Sequence, residues 1–232
     1  MSLFVLVHGA YHGGWCWSRL GLELERLGHR AVAPDLPCDD PDAGHAENVA
    51  AVLAAMDEAG AGTDVVVVGH SLGGFTAPLV AQQRTVRRLV FLCTAPVIGG
   101  GVADELRARM VTDRYGAMVR FRDEHGRALM CPGDAWQGFY HDCDDDTAAW
   151  AIARLRPQSA RPLSEPWPIT VWPDVARSVI LARDDRAVRL EAAQEAGRSI
   201  LDGAEPIVID GSHSPFLSRP AELARLLHKI SV

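Results

Sequence analysis

Apolar positions fall into six short unbroken runs, residues 3–7, 30–33, 64–68, 88–93, 178–182 and 206–209. None alternates apolar with polar as a half-exposed strand does, so each reads as a parallel strand covered on both faces. Between them lie stretches of helical period, 17–27, 46–59, 75–83, 190–201 and 221–230. Strand and helix in alternation predict a doubly wound, mostly parallel six-stranded α/β sheet with right-handed crossovers. The alternation lapses over 99–168, which opens on Gly99-Gly100-Gly101 and ends among prolines. Its helical pieces, 104–111 and 147–155, carry Met110, Met118, Trp136, Phe139 and Trp150. A loop this apolar has something to cover, so it reads as a helical cap inserted into one domain, with the core at 1–98 and 169–232. Gly99–Gly101 is a candidate hinge for that cap.

The third run ends abruptly. Val65-Val66-Val67-Val68 leads into Gly69-His70-Ser71-Leu72-Gly73, then Gly74 and a helical pattern. G-x-S-x-G between a strand and a helix places a serine in a strained turn at the carboxyl end of the sheet, where a Cβ on the flanking glycines would collide with the helix or strand. Ser71 then stands at a helix N-terminus, whose N–H groups favour developing negative charge.

A lone serine is a poor nucleophile and needs a base with an orienting acid, which follow in the order Ser, acid, His in this arrangement. Of nine histidines, only His213 lies just after the last strand and before the last helix, in Asp210-Gly211-Ser212-His213-Ser214. The acid comes from Arg183-Asp184-Asp185-Arg186-Ala187-Val188, past the penultimate strand. Asp184 and Asp185 both compete; Asp185 is better placed, three residues before the apolar anchor Val188, with Asp184 a solvated turn residue. The oxyanion donors are the N–H groups of Leu72 and of Ala10, in the His8-Gly9-Ala10 loop after the first strand.

Composition changes the picture mainly by exclusion. The 232 residues are 48% hydrophobic with a net charge of −7, and no basic run exceeds Arg87-Arg88, which argues against nucleic acid or an anionic membrane surface as partner. Five cysteines without C-x-x-C spacing suggest free thiols, neither disulfides nor a zinc site. The opening MSLFVLV is too short and uncharged for a signal peptide, so the cytoplasm is the expected location. His141-Asp142-Cys143-Asp144-Asp145-Asp146 has metal-ligand residue types, but acids just before Thr147-Ala148-Ala149-Trp150 read as a helix start. The loop from His8 to Gly14 matches neither dinucleotide nor P-loop spacing. No cofactor or metal is expected. A homodimer is compatible with the sequence and not demanded by it.

The opening stretch Phe4-Val5-Leu6-Val7-His8-Gly9-Ala10-Tyr11-His12-Gly13-Gly14-Trp15-Cys16-Trp17 resembles the start of plant methyl esterases and hydroxynitrile lyases of the α/β-hydrolase superfamily. The likeness continues through Gly28-His29, Asp35-Leu36, Gly69 to Gly74 and Gly211 to Pro220, and weakens across the cap. It implies an α/β-hydrolase fold, nucleophile Ser71, acid Asp185, base His213, oxyanion donors Ala10 and Leu72, and a small apolar pocket under a cap. Tyr11, Trp136 and Phe139 are the candidate substrate contacts. Two departures matter. Hydroxynitrile lyases of this type have a hydroxyl residue two past the histidine of the loop and a lysine after the base, whereas this chain has Ala10 and Ser214. The plant esterases flank the base with Asp and Met, where Ser212 and Ser214 stand here, predicting a more polar pocket on that side. The expectation is a serine hydrolase of small carboxylic esters; the rivals are a C–C lyase and a non-catalytic receptor for a small ligand on the same fold.

Overall fold

The structure is a computed structural model, which describes residues 1–98, 108–118 and 121–231. The proposed hinge at Gly99–Gly101 and the first half of the segment 104–111 lie outside the described residues. In chain order the first elements are β1 (Leu3–Val7), α1 (Ser18–Arg26), β2 (Arg30–Val32), α2 (His45–Glu58), β3 (Val65–His70), α3 (Gly73–Gln83) and β4 (Arg88–Leu92). Then come α4 (Asp113–Met118), the short strands β5 (Phe121–Arg122) and β6 (Ala128–Leu129), α5 (Pro132–Phe139), α6 (Asp145–Ile152) and α7 (Arg161–Ser164). The chain returns to the core with β7 (Ala176–Ala182), α8 (Leu190–Ile200), β8 (Ile207–Ile209), α9 (Pro215–Ser218) and α10 (Pro220–Ser231).

Six strands form one parallel sheet in the order β2-β1-β3-β4-β7-β8. Successive residues of a strand point to opposite faces, and here both faces are dry. Phe4, Leu6, Val66, Val68, Val90 and Leu92 face a cluster with Leu20 and Leu24 of α1 and Leu223 and Leu227 of α10. Their neighbours Val5, Val7, Val65, Val67, Leu89 and Phe91 face a second cluster with Val52 and Met56 of α2, Val80 of α3 and Ile200 of α8. Each fully buried Val or Leu contributes about 2 kcal/mol, which is why the central stretches of β1, β3 and β4 are apolar on both faces, with polar residues only at strand ends such as Arg88 and His70.

The segment between β4 and β7 is less purely helical than its sequence suggests. β5 and β6 pair antiparallel around a turn held by Gly126 at φ 74° and an Asp123–Arg127 ion pair at 2.6 Å. Two paired residues per strand leave no periodicity to read. Its end is bolted to the loop before α2: the Ser159 hydroxyl bonds with the carbonyls of Pro41 and Ala43, both at 3.1 Å, and Arg156 pairs with Asp39.

Candidate active site

β3 sits between β1 and β4, and its last residue, His70, delivers Ser71 above the carboxyl ends of the sheet. Ser71 takes φ 50°, a left-handed value uncommon for a residue with a Cβ. Its N–H donates to the Leu92 carbonyl at 3.0 Å, and its carbonyl accepts the Gly74 N–H at 3.0 Å. The glycines leave the space this turn needs. A Cβ on Gly69 would lie 2.6 Å from the Gly73 carbonyl oxygen, and one on Gly73 would lie 2.5 Å from that of Val7.

His213 and Asp185 meet. The His213 Nδ1–H donates to Asp185 Oδ2 at 2.7 Å, both side chains being buried. That fixes the tautomer with a free lone pair on Nε2, the form a general base requires. The other oxygen, Oδ1, accepts the N–H groups of Ala187 (2.8 Å) and Val188 (2.9 Å). Asp184 is exposed, as its turn position suggests. His70 holds His213 from beside Ser71. Its ring lies 4.7 Å from the His213 ring, and its Nε2–H donates to the His213 carbonyl at 2.8 Å. Phe139 stacks on the imidazole at 5.4 Å.

The loop after β1 is braced by two histidines that the sequence did not mark for this role. His8 Nδ1–H donates to the Gly9 carbonyl at 2.8 Å, and its Nε2 accepts the Leu36 N–H at 2.9 Å. His12 Nδ1–H donates to the Ala10 carbonyl at 2.7 Å, and its Nε2 accepts the Tyr140 hydroxyl at 2.7 Å. Burial, the dominant cause, pushes His8 down to about 4 and His12 down to about 3, so both work neutral. In a trans peptide the N–H points opposite the carbonyl. Holding the Gly9 carbonyl toward His8 therefore aims the Ala10 N–H away from the loop. Among the described residues neither the Ala10 N–H nor the Leu72 N–H has a hydrogen-bond partner. A signal existed in the spacing of His8 and His12 on either side of the candidate donor.

Ala10, Ser71 and Leu72 line a cavity of about 190 Å³. Its walls are apolar, with Phe75 and Ala95 from the core, Met110, Val111 and Leu163 from the inserted segment, and Val188 from the loop after β7. Thr94 and Tyr115 bring the other hydroxyl groups, and among the described residues no charged side chain lines it. The three aromatic residues expected at the substrate do not line this cavity. Tyr11, at φ 67°, is buried with its ring 6.4 Å from that of Phe139; Phe139 stacks on His213; Trp136 packs against the core. Ser212 and Ser214 are buried outside the wall, Ser212 donating to the Phe139 carbonyl, so they do not make the pocket polar.

The acids around His141 serve the backbone. Asp144 caps α6 by accepting the Thr147 N–H at 2.8 Å, and Asp142 accepts the Ser212 N–H at 2.9 Å. Among the described residues one group of ligand-type atoms converges within 4.8 Å, on His70, Cys93 and His213. Both histidines are already committed as described, and burial pushes the Cys93 thiol well up, keeping it protonated. All five cysteines are free.

The sequence pattern of the alpha/beta hydrolase family matches residues 4–226. The chain belongs to the alpha/beta hydrolase family. It is 24% identical over 257 residues to methylesterase 9 of Arabidopsis thaliana, covering 100% of this chain and 98% of the relative. To a probable esterase, PIR7A, of Oryza sativa subsp. indica, it is 28% identical over 253 residues, covering 98% and 96%. The crystal structure of polyneuridine aldehyde esterase superimposes with a TM-score of 0.80 at 21% identity, over 100% of both chains; at that identity the likeness speaks to the fold. The resemblance to plant methyl esterases noted in the opening stretch thus extends over the whole alpha/beta hydrolase chain. Among the described residues no helix is long and apolar enough to cross a membrane.

Proposed function

We propose that this alpha/beta hydrolase cleaves small, neutral carboxylic esters through an acyl-enzyme on Ser71. The observations that carry the reading are His213 Nδ1–H on Asp185 and a left-handed Ser71 lining the cavity. Ser71 Oγ attacks the ester carbonyl as His213 Nε2 takes its proton, and the Ala10 and Leu72 N–H groups receive the oxyanion. Each such donor is worth about 3 kcal/mol at a transition state. His213 then gives the proton to the departing alcohol, and water, deprotonated by the same nitrogen, releases the acid. Among the described residues the wall is uncharged, which argues for a neutral substrate, because a buried carboxylate would find no partner among them. It argues equally against a lyase that needs a nearby cation: the chain's one lysine, Lys229, is exposed on α10. Relatives named as esterases support the same class.

Intact mass after incubation with a small fluorophosphonate tests this directly. One adduct is expected on the wild-type chain and none on Ser71→Ala, with ester turnover lost in parallel. A Ser71→Ala protein that keeps full turnover sinks the proposal.

A further inference from the structure

The loop that carries Asp185 does not stand alone. It runs antiparallel to the first described residues of the inserted segment, with Val111 bridging Val188. The Arg189 N–H donates to the Met110 carbonyl at 2.6 Å, and the Thr112 N–H to the Ala187 carbonyl at 3.0 Å. Arg189 adds a bond from Nε to the Val111 carbonyl at 3.2 Å and an ion pair with Asp113 at 2.6 Å. The two paired strips, Met110–Val111 and Ala187–Val188, also form one wall of the cavity. A single side chain closes this ribbon nearest the acid: the Thr112 hydroxyl donates to the Arg186 carbonyl at 2.6 Å. The same oxygen accepts the Tyr115 N–H at 3.1 Å, capping α4. Arg186 adjoins Asp185, and the next two N–H groups are those that hold Asp185 Oδ1.

We propose that Thr112 is a positioning residue for the reaction, clamping the acid loop so that Asp185 Oδ2 faces His213. The chain of bonds is short and runs in one direction. Thr112 fixes the Arg186 carbonyl, the fixed backbone presents the Ala187 and Val188 N–H groups, and these orient the carboxylate. Its other consequence is that the wall touching substrate and the acid belong to one rigid ribbon, so a shift of Met110 or Val111 is felt at His213. As a statement about catalysis this rests on the hydrolase reading above.

The test uses three variants of the full chain. Thr112→Val removes the hydroxyl at nearly constant shape, and Thr112→Ser restores it. Thr112→Asp keeps an acceptor for the Tyr115 N–H but, ionised, has no proton for the Arg186 carbonyl. Two readouts are taken, the rate of fluorophosphonate labelling with kcat and KM on a small aryl ester, and the low-field proton resonance of His213 Nδ1–H, assigned by its loss in His213→Ala. Thr112→Val and Thr112→Asp are each expected to lose about tenfold in labelling rate and kcat, the scale of one net hydrogen bond, and to shift or broaden the resonance. Thr112→Ser is expected within about twofold of wild type on the same scale. A wild-type resonance in both Val and Asp variants overturns the proposal, as does a loss confined to KM or a Ser variant no better than Val. Should Val fail to fold, Asp decides alone. Should the wild-type chain neither label nor turn over ester, the esterase reading falls, and the resonance still decides whether Thr112 orients the pair.

Discussion

At the scale of single residues, Asp185 uses its two oxygens for different tasks, one to hold His213 and one to hold its own loop. Asp185→Asn separates them. The amide oxygen still accepts the Ala187 and Val188 N–H groups, but its NH₂ faces His213 and forces the proton onto Nε2. We expect kcat on a small ester to fall by about 10⁴ with little change in thermal midpoint. A loss under tenfold would show that another group orients the imidazole. Choosing Asp185 over Asp184 was possible from sequence because the spacing to Val188 marks a turn that folds back on its acid. The cavity wall was not legible in the same way. An aromatic residue advertises burial but not what it is buried against, and Tyr11, Trp136 and Phe139 all turned toward the protein interior.

At the scale of elements, the elbow exists because α3 presses directly on the carboxyl end of β1. A Cβ on Gly73 would stand 2.5 Å from the Val7 and 2.6 Å from the His8 carbonyl oxygens, both backbone atoms that cannot swing aside. Gly73→Ala is expected to cost about 3 kcal/mol, read as a lowered thermal midpoint and reduced soluble yield. Gly116→Ala in α4 provides the contrast. Among the described residues nothing outside its own helix turn lies within 4 Å of its Cβ position, and helix propensity makes the change neutral or favourable by up to about 1 kcal/mol. Equal midpoints for the two variants would refute this account of the elbow. The strands were readable because two-sided burial leaves long apolar stretches, and the ends of β1 and β3 fall beside glycines, Gly9 and Gly69. The antiparallel β5–β6 pair and the ribbon of Val111 with Val188 were not readable, since one or two bridges impose no pattern.

Across the whole molecule, several histidines are folded in their neutral state. His8, His12 and His70 are all pushed down chiefly by burial, His8 to about 4 and His12 to about 3. Unfolded, each binds a proton below its ordinary value of about 6.5. Stability is therefore complete above that pH and declines on acidification, each group contributing about 1.4 kcal/mol per pH unit until its folded value is reached. Thermal midpoints from pH 8 to 4 should begin to drop below about 6.5, and His12→Gln should drop less steeply than wild type. An unchanged slope would mean that His12 is not held neutral. The order of the groups along the chain has a different consequence, one of timing. Ser71 is made early and follows the central strand β3, whereas His213 follows β8 at the sheet's edge. Under the proposed mechanism a nascent chain emerging from the ribosome carries its serine long before its base, and is expected to stay chemically silent until the last strand docks.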